Sequence, residues 1–125
     1  MLHLLLHLIG DYVTQSDWMA QNKTKSSWAA LCHATVYALP FLVVASMQAW
    51  LVIWLSHFVI DRWRLARYLT YAKNWLAPRS YWHPWSECSV TGYHQDKPQW
   101  LTFWLMVTAD NTVHLTINEA ALTWL

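Results

Sequence analysis

Charge is scarce in this sequence: eight basic and seven acidic residues among 125, or 12%, against roughly 25% in ordinary soluble domains. Much of the surface must therefore be something other than a solvated charged shell. The formal net charge of +1 leaves no clustered excess of Lys and Arg, which argues against specific duplex nucleic-acid binding. Cysteine is nearly absent. Cys32 and Cys88 cannot build a disulfide framework, and their separation fits no zinc ribbon, so a reducing interior is the natural compartment. The chain shows no repeat of solenoid length, and 125 residues suit one domain spanning residues 1–125. Residues 1–9 have the apolar look of a leader peptide. They lack a basic start, however, and are interrupted by His3 and His7 before Asp11, so they read as part of the mature fold.

What is abundant is apolar and aromatic. Hydrophobic residues make up 56% of the chain, with eleven tryptophans and six tyrosines, and amphipathic rings gather where an apolar body meets a wet edge, as at bilayer interfaces. No formal charge occurs between Trp28 and Asp61. That run is short for two spans of ~20 apolar residues each and contains Pro40, His33 and His57. It predicts a helical hairpin, residues 28–44 and 48–67. Lys23 and Lys25 precede it, and Arg62, Arg64 and Arg67 close it, which by the positive-inside tendency sets both ends on the cytoplasmic side of an inner membrane. The alternative is the core of a soluble cytoplasmic bundle.

The remaining segments complete an all-α fold, a small helical bundle with a central apolar hairpin, membrane-associated or membrane-embedded. Residues 2–15 predict a buried helix, 16–27 a short helix and loop, and 65–76 an amphipathic helix. Residues 77–98, with Pro78, Pro84, Gly92 and Pro98, form an irregular connection whose aromatics pack on something. Residues 99–107 are strongly apolar. A last helix follows over 110–125, with Asp110 or Asn111 near its start.

The polar residues inside these apolar segments share one spacing. His7 and Asp11, His57 and Asp61, and Asp110 and His114 are each four apart, so each pair stands on one helix face with Cβ atoms ~5–6 Å apart. An imidazole and a carboxylate so placed can bind one metal or two adjacent ones, and helical bundles draw metal ligands from facing helices in this way. His33 is the contributor from the remaining core helix. Buried Asp and His are costly unless they pair or hold a cation. Paired hydrogen bonds would satisfy any one couple, but three couples plus His33 favour metal. His3, and His83 and His94 in the connection, read as structural.

Imidazole with carboxylate suits a divalent metal, zinc first, then manganese or iron, as one or two ions. Such a centre lowers the pKa of bound water to about 7 and can hold a hydroxide against a phosphoryl or acyl group. Asp11 and Asp61 are then candidate catalytic carboxylates. Arg62, beside Asp61, is the candidate for holding a substrate's anionic group, ahead of Lys23.

The string from His7 through Asp11, Gln15, Asp17 and Lys23, then His33 with Tyr37, His57-Phe-Val-Ile-Asp61-Arg62, and Asp110-Asn-Thr-Val-His114 resembles the bacterial and phage family catalogued as domain of unknown function 3307. The resemblance implies a small, hydrophobic, largely helical, often membrane-associated protein. The His-x-x-x-Asp pattern is also similar to that of inner-membrane metal-dependent hydrolases, an analogy of site only. Together these lead to the expectation of a membrane-associated metal-dependent hydrolase whose partners are membrane lipids and a small phosphoester, lipid or nucleotide. The competing expectation is a non-enzymatic phage or bacterial membrane accessory protein that binds a host partner and uses its His–Asp pairs structurally.

Overall fold

Three serines begin three helices. Ser16, Ser26 and Ser46 have extended backbones, and each hydroxyl accepts a hydrogen bond from a backbone N–H three residues on, at Met19, Ala29 and Ala49, satisfying donors that a helix start leaves orphaned. In the computed structural model, which describes residues 1–125, these caps open α2 (Asp17–Asn22), α3 (Ser27–Ala38) and α4 (Met47–Trp63). The whole chain is helices and connections, with α1 (Leu2–Leu8), α5 (Ala66–Lys73), α6 (Trp85–Cys88) and α7 (Gln99–Trp124) completing the set. Packing divides it into two compact units, one of Met1–Arg64 with His114–Leu125, the other of Leu65–Val113.

In the first unit α1 does not run on as an α-helix to residue 15. It passes into a π-helical turn, Ile9–Val13, closed by the Thr14 N–H donating to Ile9 O at 2.9 Å. Such turns widen the helix by one residue and often mark functional sites. Here the turn carries Asp11. Gly10 makes it possible, because a Cβ at that position would lie 2.5 Å from Tyr37 Cδ2 and 3.1 Å from Tyr37 O.

The hairpin predicted over 28–44 and 48–67 is α3, a 3-10 turn at Leu39–Val43, and α4. Alanines 29, 30, 34 and 38 are all buried on α3, giving it a small-residue surface that allows close approach. Two indoles stitch the pair: Trp50 Nε1 donates to Ala38 O at 2.8 Å and Trp54 Nε1 to Thr35 Oγ1 at 3.1 Å. Leu6, Tyr37, Phe41, Ala49, Ile53 and Ala121 meet in the apolar core of this unit. At its C-terminus α4 is stopped by Arg64 in the left-handed conformation, φ 52°, the usual geometry of a helix-ending residue. No helix is long and apolar enough to cross a membrane.

In the second unit the connection over 77–98 is largely irregular, with a 3-10 turn at Arg79–Tyr81 and the single turn of α6. It packs on α5. Arg67 donates to Ser89 O at 3.0 Å and its guanidinium lies over Trp85. Tyr68 stacks on Trp85 with ring centroids 4.8 Å apart, and Thr70 donates to Thr91 O. Gly92, at φ 87°, is required because a Cβ there would collide with the Thr70 hydroxyl and the Arg67 carbonyl.

The expectation of a separate last helix starting near Asp110 needs correction. Gln99–Trp124 is one helix, and Asp110 lies in its middle instead of capping it. Nothing between 99 and 124 breaks a helix, since the stretch holds neither Pro nor Gly. Thr108 and Thr112 turn their hydroxyls back to the carbonyls of Trp104 and Thr108, so their polarity is absorbed along the helix.

Candidate metal centre

Four helices of the first unit deliver polar side chains to one buried point. The π-turn after α1 brings Asp11, α3 brings His33, α4 brings His57 and Asp61, and the second half of α7 brings His114. His7, His33, His57 and His114 are at most 1% exposed, and Asp11 and Asp61 are 7% and 5% exposed. Burying so many polar groups in one place is costly unless each finds a partner.

At the centre stand two imidazole nitrogens and two carboxylate oxygens. His33 Nε2 lies 3.2 Å from both Asp11 Oδ1 and Asp61 Oδ2. His57 Nε2 lies 3.3 Å from the same two oxygens, and the two Nε2 atoms are 3.0 Å apart. A tetrahedron of nitrogen and oxygen ligands at bond lengths of ~2.0 Å has edges of ~3.3 Å, and these five separations come within a few tenths of an ångström of it. Two nitrogens facing one another can share at most one proton, whereas both can donate lone pairs to a cation between them. Lys23 Nζ pairs with Asp61 Oδ2 at 2.7 Å. The donor set and its spacing fit a tetrahedral divalent ion.

Around these four atoms lies a supporting layer. The outer oxygen of Asp11 faces His7 Nε2 at 3.5 Å, and the outer oxygen of Asp61 faces His114 Nε2 at 3.1 Å. His7 Nδ1 is 2.8 Å from the Tyr37 hydroxyl, which also accepts from Asn118 Nδ2 at 2.6 Å. The Tyr37 ring stacks on His57, centroids 3.6 Å apart and 12° from parallel. One tyrosine thus fixes two histidines, one by its hydroxyl and one by its face, and such outer contacts orient ligands and tune their basicity.

Electrostatics follow from this geometry. Burial alone would raise the Asp11 carboxyl, but hydrogen bonds from His33 and His57 and the charge of His57 outweigh it and hold the group below its ordinary value. Asp61 behaves alike: burial opposes ionisation, yet the charge of His57 and the hydrogen bonds from His114, His33 and His57 keep it well below the ordinary range. For His33, burial disfavours the proton, and the hydrogen bonds to Asp11 and Asp61 overcome that and raise its pKa. In the metal-free chain, protons and Lys23 stand in for a cation.

Of the seven residues read from sequence as metal ligands, His7, Asp11, His33, His57, Asp61 and His114 meet here, four at the central point and two behind the carboxylates. Asp110 is half-buried on α7 in the second unit, one turn before His114. Arg62 is placed elsewhere: Nε donates to Ser27 Oγ at 3.1 Å and a terminal nitrogen to Thr24 O at 2.9 Å. Successive residues on a helix point about 100° apart, so a neighbour of inward-facing Asp61 faces away. Lys23 takes the position expected of Arg62, its Nζ also 3.3 Å from His33 Nε2. Asn118 was not singled out from sequence, although it continues the four-residue spacing Asp110, His114, Asn118. His3 pairs with Glu119 at 3.0 Å, outside the cluster. His83 and His94 meet Glu87 in the second unit, a grouping that the His83–Glu87 spacing of four could have signalled.

No curated protein and no solved structure matches the chain. Residues 1–117, which include every residue of the central cluster and the aromatic connection, match the family model described as Protein of unknown function (DUF3307), and the chain belongs to that family.

Proposed function

We propose that the protein is a metal-dependent hydrolase acting on a phosphoester, with His33, His57, Asp11 and Asp61 holding one zinc-class ion. The observation that carries this reading is the near-tetrahedral set of four donor atoms on residues no more than 7% exposed. A divalent ion there supplies Lewis acidity toward a phosphoryl oxygen. His7 and His114 steady the carboxylates from behind, and Tyr37 holds His7 and His57 in register. Lys23, with a side chain 20% exposed against 3% for Asp61, joins the cluster to solvent, so its ammonium is the group that meets the anionic oxygens of an incoming phosphoester. Arg62 has no part in this reading because its guanidinium is engaged by the α2–α3 loop.

Peripheral attachment to a membrane belongs to the same proposal. Leu51, Val52 and Leu55 on α4 are 40% or more exposed, and Trp100 and Trp104 on α7 are 60% or more exposed. Apolar and indole groups left at a surface in this way favour the headgroup boundary of a bilayer. Membrane lipids are thus both a binding surface and one class of phosphoester.

A second reading is favoured by one specific feature. Four protein ligands close a tetrahedral zinc site, whereas catalytic sites keep one position open. On that reading the ion braces an accessory protein and performs no chemistry.

The two readings separate in an assay of the purified chain with phosphodiester and phosphomonoester substrates. The hydrolase predicts turnover that disappears with a chelator, returns with zinc or manganese, is abolished by His57→Ala, and shows a raised KM in Lys23→Met. Metal bound at one equivalent with no turnover on either substrate class would leave the bracing role.

A further inference from the structure

The second unit carries another group of metal-ligating side chains, independent of the buried centre. In the connection between α5 and α7, Glu87 Oε2 lies 2.9 Å from His94 Nε2 and 4.0 Å from His83 Nδ1. The two imidazole rings are 3.9 Å apart between centroids, and one donor atom from each of the three residues falls within 4.8 Å of the others. We propose that His83, Glu87 and His94 form a second, solvent-facing site for a zinc-class divalent cation, with one coordination position open.

Three features argue for a built site. First, the backbone is fixed around it: Gln95 N–H donates to Glu87 O at 3.1 Å, which closes the loop joining two of the ligands, and the Tyr71 hydroxyl donates to His83 O at 2.9 Å, which ties the third ligand to α5. Trp85, between His83 and Glu87, is clamped by stacking on Tyr68 and by an edge contact with Tyr71. A preorganised frame reduces the ordering that a metal must impose.

Second, the donor set is two imidazoles and one carboxylate, a set that open zinc sites use, with the fourth position left to solvent. Side-chain exposures of 33% for His83, 43% for Glu87 and 12% for His94 give that position access to water. Third, Asp96 holds the far side of the His94 ring: its backbone N–H donates to Nδ1 at 3.3 Å and its Oδ2 lies 3.3 Å from the same nitrogen, contacts that keep Nε2 turned toward Glu87. Binding asks for side-chain adjustment alone, drawing His83 toward Glu87 from 4.0 Å and easing His94 away from 2.9 Å toward edges of ~3.3 Å.

The test is zinc titration of the full chain by calorimetry, with cobalt absorption as a second readout, on the wild type and on Glu87→Gln, His83→Ala and His94→Ala. The same series is repeated in a His57→Ala background so that loss of the buried centre is scored separately. The proposal predicts a zinc equivalent that persists in His57→Ala and is weakened at least tenfold by each of the three substitutions, with the helical circular-dichroism spectrum unchanged. It also predicts a smaller loss in Asp96→Asn. A second equivalent that is absent, or one indifferent to Glu87→Gln and His94→Ala, would overturn it. The buried centre could stand or fall without affecting either outcome.

Discussion

At the scale of single residues, two uncharged positions carry much of the centre's architecture. Gly10 lets the π-turn lie against Tyr37, and any side chain there would press on the Tyr37 ring and its main chain. Gly10→Ala is expected to cost about 1–3 kcal/mol, the usual range for overpacking a filled interior, seen as a lower urea midpoint with an unchanged m-value. Tyr37→Phe keeps the stacking on His57 but removes the hydroxyl between His7 and Asn118. Leaving those buried groups unmatched costs about 1–3 kcal/mol, and zinc affinity should fall roughly 10- to 100-fold, as for other outer-shell losses. A zinc titration that shows wild-type affinity in Tyr37→Phe would remove the tyrosine from the account.

At the scale of elements, serine caps and a few spacings decide how much could be read from sequence. The hairpin was legible because a charge-free run, bounded by Lys25 and Asp61, is broken near its middle at Ser46-Met47-Gln48, where the cap of α4 falls. Replacing Ser46 by Ala removes the cap of α4 and the hydroxyl's bond to Leu125 O. The expected loss is about 1 kcal/mol, or a melting temperature lower by about 4 °C for a chain of this size. The π-turn was not legible, since a single i to i+5 bond leaves no periodic trace in the sequence. Nor was the continuity of α7, because polar residues 108–112 resemble a helix start until their threonines are seen bonding back along the helix. The His–Asp spacing exposed the side chains of the centre but not their division of labour, which depends on which oxygen of each carboxylate turns inward. Lys23 ranked behind Arg62 for a related reason: its approach to Asp61 joins residues 38 apart in sequence, a contact that no local pattern records.

At the scale of the whole molecule, the cluster sets how stability responds to pH and metal. In the metal-free chain Asp11 and Asp61 are depressed from their ordinary value of 3.8, so their contribution is present above that pH and is lost as pH falls through the lower folded values. His33 is raised from 6.5, so its contribution is full below that pH and is lost as pH rises through its folded value. Metal-stripped protein is therefore expected to be most resistant to urea between about pH 4 and 6.5. With zinc added the optimum should move upward, because the ion competes with protons for the same imidazoles. A flat stability profile between pH 4 and 8 in stripped protein would contradict the coupling.

The central claim is that His33, His57, Asp11 and Asp61 surround one cation. It is met most directly by zinc K-edge X-ray absorption on the Glu87→Gln chain, in which the surface cluster is disabled. The account predicts one bound zinc with four nitrogen or oxygen neighbours at ~2.0 Å, lost in His33→Ala and in His57→Ala. A folded chain that takes up no zinc, or holds it equally well without either histidine, would contradict it.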